Sequence, residues 1–120
     1  LMEKVEGAEK GSILLATVAG DVVESKATRE VYGEKVPFHT LKGHFGHSLG
    51  ACGGIEAWLA IEMLNAGWIA PIANFKEQDS RCKELDYVGA GGRNVDGEYF
   101  VSNNFAFGGV NTSLVFKRAS

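Results

Sequence analysis

The sequence predicts an α/β fold: a mixed sheet covered by helices and closed by an antiparallel hairpin. Three observations predict it. Short apolar runs alternate with helical stretches through the first half of the chain, the grammar of strands crossed over by helices. The last third switches to strand-like segments around a turn. Glycine is abundant, 16 of 120 residues against 2 prolines, and clusters at 43–54, 89–97 and 108–109. Such clusters mark tight turns and close backbone approaches.

The elements follow in order. Residues 1–11 are polar, frayed or helical. Ser12 to Val18 is a continuous apolar run, the pattern of a buried strand. Gly20-Asp21 opens a helix with Asp21 as N-cap, and the helix ends at Gly33. Val36 to Thr40 is a second strand, with its proline near the strand start or at an edge. After a glycine-rich turn comes a long helix from about His47 to Asn65. Its apolar residues Cys52, Ile55, Trp58, Leu59, Ile61, Met63 and Leu64 cover more than one face, which predicts burial on two sides, and Gly67 stops it. Trp68 to Phe75 is extended, and 76–86 is a polar loop or short helix. Tyr87-Val88, Tyr99 to Asn103 and Asn111 to Lys117 read as strands. Phe105 to Gly109 is the turn of the closing hairpin.

The totals narrow the function. A chain of 120 residues is one domain by length. An apolar content of 45% and a charged content of 22% are those of a soluble globular protein. A net charge of −3 gives no surface for nucleic acid or an anionic membrane. The most apolar stretch, 50–75, is interrupted by Glu56 and Glu62, so it is not a membrane span. Cys52 and Cys82 fit neither a zinc spacing nor a disulfide framework. No basic-then-apolar segment opens the sequence, and the expected location is the cytoplasm.

The chemistry concentrates in residues 41–56, LKGHFGHSLGACGGIE. His47 falls at the expected N-terminus of the long helix, where the dipole favours a neutral imidazole. A neutral imidazole can donate a hydrogen bond to a carbonyl or enolate oxygen, or take a proton. Lys42 adds a positive charge. Glu56 reaches Lys42 only if the turn folds back. Local pattern leaves other readings open. His47 could be a cap or a packed residue. His44 and His47 with His39 and Cys52 could be metal ligands, although this is not a defined zinc spacing. Cys52 could be a nucleophile, although on a buried helix face a cysteine is usually a small apolar filler.

The run Lys42-x-x-x-Gly46-His47-x-x-Gly50-Ala51-x-Gly53-x-x-Glu56 resembles the lysine–histidine motif of β-ketoacyl-[acyl carrier protein] synthases, elongating condensing enzymes of the thiolase superfamily. Only Cys52, in place of an alanine, departs. Ser102 to Asn111 (SNNFAFGGVN) resembles the family's C-terminal N-S-F-G-F-G-G-T-N turn. Val18-Ala19-Gly20-Asp21-x-x-Glu24 resembles T-P-x-G-D-x-x-E, and Pro71 and Asn74 fit the family's P-x-x-N. The resemblance runs from about residue 17 to 118.

It implies the C-terminal half of a thiolase-like fold over 17–120, with 1–16 a divergent or junction segment. The activity it implies is decarboxylative Claisen condensation of a malonyl-carrier with an acyl thioester, in fatty acid or polyketide synthesis, by an acyltransferase that needs no cofactor and no metal. His47 and Lys42 would be catalytic and Glu56 supporting. Phe107, Gly108 and Gly109 would form the acyl gate and oxyanion region. The implied partners are acyl carrier protein thioesters and an N-terminal half or partner chain, in a homo-oligomer such as a dimer, without nucleic acid or membrane. The nucleophilic cysteine belongs to the half that is not in this sequence, so this chain alone would be inactive. The family's first catalytic histidine falls at Ile13. That substitution supports an alternative: a non-catalytic acyl- or carrier-binding or assembly protein. Lys35, Lys42, Arg81, Lys83 and Arg93 would be the cations available to an acidic carrier.

Overall fold

A computed structural model describes residues 12–15, 21–106 and 108–119, with Ser12–Leu15 described by their backbone alone. The motif positions Val18, Ala19, Gly20 and Phe107 lie outside the described residues, as do 1–11. Five strands form the main sheet: β1 (Ser12–Leu15), β2 (Pro37–His39), β4 (Asp86–Tyr87), β6 (Tyr99–Phe105) and β7 (Asn111–Lys117), in the order β4-β2-β1-β6-β7. β1 is parallel to both β2 and β6, and β2 is parallel to β4. β7 runs antiparallel to β6, from Tyr99 opposite Lys117 to Phe105 opposite Asn111. This is the mixed sheet and closing hairpin that the pattern predicts. Ser12–Leu15, inside the stretch set apart as 1–16, is the central strand.

Parallel neighbours need a crossover, and helix α1 (Asp21–Tyr32) provides it between β1 and β2. Asp21 is the first helical residue, and the Gly33 amide donates to the Arg29 carbonyl (3.0 Å) to close the helix. A one-turn helix α2 (Lys42–Phe45), a 3-10 turn (Leu49–Ala51) and the long α3 (Cys52–Ala66) follow. Gly67, at φ 65, ends α3 with its amide on the Leu64 carbonyl. Two two-residue strands, β3 (Trp68–Ile69) and β5 (Arg93–Asn94), pair antiparallel. The extended segment predicted to Phe75 stops at Ile69, because Pro71 and Asn74 (φ 63) turn the chain. β5 has too few residues to show a period.

The sheet is covered on both sides. Phe100 packs with Leu41, Ala60, Met63, Leu64, Ile69 and Val88 under α3. The next residue, Val101, packs with Tyr32, Val36 and Phe38 on the α1 side. Adjacent residues of a strand face opposite ways, so two fully buried neighbours require cover on both faces. Burying Phe100 contributes about 1.5–3 kcal/mol, and its ring stacks on Phe116 at 4.5 Å.

The long helix departs from expectation at both its start and its outer face. It begins at Cys52, not His47, because Leu49 takes φ 51 and the chain makes a 3-10 turn first. Its buried residues Cys52, Glu56, Ala60, Met63 and Leu64 form one stripe. Trp58 and Ile61, on the other face, are exposed. Both faces carry apolar residues, but among the described residues only one is covered.

Candidate functional site

The site is built on the connection between β2 and α3. Lys42 is the first residue of α2 and its side chain points inward, 2% exposed. Its ammonium pairs with Oε1 of Glu56, itself 1% exposed, across the turn. The chain therefore does fold back. At this depth each group depends on the other as its counter-charge. The Lys42 amide also donates to Thr40 Oγ1 at 3.3 Å.

His47 lies past the end of α2, exposed, in the irregular stretch before the 3-10 turn. It does not cap α3, so a neutral imidazole cannot be argued from the helix terminus. A different contact orients it. The Leu49 amide donates to His47 Nδ1 at 3.0 Å. Nδ1 is then an acceptor, and the neutral ring carries its proton on Nε2. The free end of His47 is thus a hydrogen-bond donor directed away from its own backbone.

The two motifs converge. Gly53, in the first turn of α3, lies against Asn104 near the end of β6, where an added Cβ would come within 3.3 Å of the Asn104 amide. That close approach brings the Lys42–Glu56 segment to the base of the 105–110 hairpin turn. The turn closes with the Ala106 amide on the Val110 carbonyl (2.9 Å) and the Gly109 amide on the Ala106 carbonyl (3.3 Å). Gly108 and Gly109 are exposed at φ 93 and 81. Phe107 lies outside the described residues.

The remaining candidates have other surroundings. His44 Nε2 donates to the Pro71 carbonyl at 2.6 Å. His39 is fully buried at the end of β2, with no hydrogen-bond partner on either ring nitrogen among the described residues. Burial, with His44 adding positive charge nearby, pushes its pKa down to about 4. Cys52 is buried at the start of α3, as an apolar filler would be, and Cys82 is half-buried in the 76–86 loop. Of the cations offered for carrier docking, Lys42 is excluded by burial, and Arg81 and Arg93 are paired with Asp79 and Asp86. Sequence reasoning missed the roles of His44 and Asn104, because each depends on a partner distant in the chain.

Comparison with known proteins bears on what this arrangement is. A family model described as "Beta-ketoacyl synthase, C-terminal domain" matches residues 15–76. The chain is 42% identical over 106 residues to 3-oxoacyl-[acyl-carrier-protein] synthase 1 of Escherichia coli (strain K12), across 86% of this chain and 25% of that protein. It is 38% identical over 104 residues to the enzyme of the same name from Haemophilus influenzae, across 86% of this chain and 26% of that one. A solved beta-ketoacyl synthase from Burkholderia phymatum STM815 superposes with a TM-score of 0.89 at 48% identity, over 94% of this chain and 29% of that chain. The ishigamide ketosynthase/chain length factor superposes with a TM-score of 0.83 at 31% identity, over 97% and 30%. The chain spans a quarter of the length of these curated relatives.

Proposed function

This chain belongs to the β-ketoacyl synthase family as its C-terminal domain, and from that premise we propose that it supplies half the active site of a 3-oxoacyl-[acyl carrier protein] synthase. Its fold is the C-terminal half of the thiolase-like architecture. The observation that carries the proposal is the oriented His47, with Nδ1 held by the Leu49 amide, on the same β2–α3 connection that places Lys42 on Glu56.

Condensation requires a carbanion equivalent to form beside a thioester. When malonyl-carrier loses CO2, the electrons of the breaking C–C bond flow into the thioester as an enolate. A fixed donor at the enolate oxygen stabilises that charge. His47 Nε2–H is that donor. Lys42, paired with Glu56, holds the turn that carries His47. The enolate carbon then attacks an acyl group held as a thioester on a cysteine, whose thiolate leaves. That cysteine is supplied by an N-terminal half, in the same polypeptide or a partner chain, and this chain alone does not condense. The hairpin turn with Phe107, Gly108 and Gly109 gates the acyl chain. The exposed apolar face of α3, with Trp58 and Ile61, is where the cysteine-bearing half packs. The substrates are acyl carrier protein thioesters, the assembly is a homo-oligomer, and the location is the cytoplasm. No helix among the described residues is long and apolar enough to cross a membrane.

The test is His47→Ala in the chain assembled with a cysteine-bearing half. Malonyl decarboxylation should fall about 100-fold or more, and an unchanged rate removes His47 from the mechanism. Ile13, at the family's first histidine position, favours a second reading, in which the assembly binds acyl or carrier ligands without condensing them. Ligand binding with no detectable decarboxylation by the wild-type assembly would select it.

A further inference from the structure

We infer that His44 is a positioning residue: it clamps α2 to the turn at 71–75 and thereby sets where Lys42 and His47 stand. This rests on the proposed role of His47. A one-turn helix does not sustain itself, because its single turn fixes backbone entropy for little hydrogen bonding. α2 spans only Lys42–Phe45, and its N-cap residue Leu41 makes no side-chain cap. Its placement must come from outside contacts, and three successive residues make them. Lys42 reaches inward to Glu56 on α3. Gly43 lies flat on the neighbouring turn, where an added Cβ would come within 2.9 Å of both Cβ and the carbonyl oxygen of Ala73. His44 donates from Nε2 to the Pro71 carbonyl at 2.6 Å.

The acceptor stands on a fixed support. On one side of Pro71, the Ala70 amide donates to Met63 Sδ at 3.4 Å. On the other, the Ile72 amide donates to the Val88 carbonyl at 2.9 Å, tying the segment to the sheet. Pro71 therefore sits between an anchor to α3 and an anchor beyond β4. His44 carries α2 onto that anchored carbonyl from one side, and the Lys42–Glu56 pair holds it from the other. His47 follows three residues on, beyond Gly46 at φ 80. A carbonyl accepts only, so Nε2 of His44 must carry a proton, and protonation of the ring leaves the clamp intact.

The experiment compares His44→Ala, His44→Phe and His44→Gln in the chain assembled with a cysteine-bearing half. Without the donor, Ala and Phe should lower kcat for malonyl decarboxylation about tenfold, with KM little changed, because misplacement of the donor is felt in the transition state. Gln carries an amide N–H at similar reach and should restore most of the rate. A purely space-filling role predicts the opposite order, with Phe better than Gln. Nitrogen-15 NMR of His47 in the same assemblies gives a readout independent of turnover. Wild type and Gln should show the Nε2–H tautomer with Nδ1 accepting, and Ala should show tautomer averaging. An unchanged His47 tautomer together with an unchanged kcat in His44→Ala overturns the inference, as does Phe rescuing better than Gln. If His47→Ala keeps full activity while the His44 variants still alter the His47 tautomer, the clamp stands and the catalytic reading of His47 falls.

Discussion

The inward face of α3 buries a lysine and a glutamate, whereas its outward face leaves a tryptophan in solvent. Lys42 and Glu56 are 2% and 1% exposed, yet Trp58, two residues along the same helix, is 61% exposed. Ordinary sorting by polarity would reverse these. Inside, the pair ties α2 to α3, although a buried pair by itself adds little stability. Outside, apolar area stands where no described residue covers it. One face is buried and charged, and the other is exposed and apolar.

Breaking the inner face should have the largest effect. Glu56→Ala leaves the Lys42 ammonium buried without a counter-charge and should destabilise the chain by about 3–5 kcal/mol, whereas Glu56→Leu combined with Lys42→Met should recover most of that. Urea unfolding of both variants checks it, and equal losses would mean that the pair itself supplies the stability.

The next effect is acid sensitivity at His39, on the same inner side. Its folded pKa is held down to about 4 from 6.5. The unfolded chain therefore takes up a proton below pH 6.5 that the folded chain refuses until about pH 4. Stability should fall as pH drops through that window, by about 3 kcal/mol in full. His39→Leu should flatten this part of the curve. A curve unchanged by that substitution would show that His39 has a partner that accepts its charge.

The outer face should respond to assembly and hardly at all to folding. Trp58→Ser should alter the unfolding free energy of the chain by no more than about 0.5 kcal/mol. It should weaken association with the cysteine-bearing half by about 2 kcal/mol, as the loss of an aromatic anchor does. Sedimentation against a titrated partner separates the two. A large loss of folding stability with unchanged association would place Trp58 in the core of this chain.

Much of the fold was legible because it rests on local rules. α1 with its stop at Gly33, the stop of α3 at Gly67 and the strand Asn111–Lys117 all follow from period and from glycine at helix ends. The start of α3 was misread because the positive φ of Leu49 leaves no mark in hydrophobic period. The Lys42–Glu56 contact was legible only as a condition, since a turn of uncertain shape lay between the two residues. The one-sided burial of α3 was not legible at all: an apolar residue signals that something should cover it, not which chain does.

The topology of the main sheet also bears on how the chain comes together. β1 sits in the middle, and one of its partners, β6, is drawn from the opposite end of the chain, with Ser12 beside Tyr99. Loop closure from Ser12 to Tyr99 must precede that pairing, and such non-local parallel contacts form slowly. During synthesis Ser12–Leu15 emerges well before Tyr99–Phe105 and waits for that partner strand. Removing residues 12–15 would therefore open the sheet at its centre and leave two separate edges in its place.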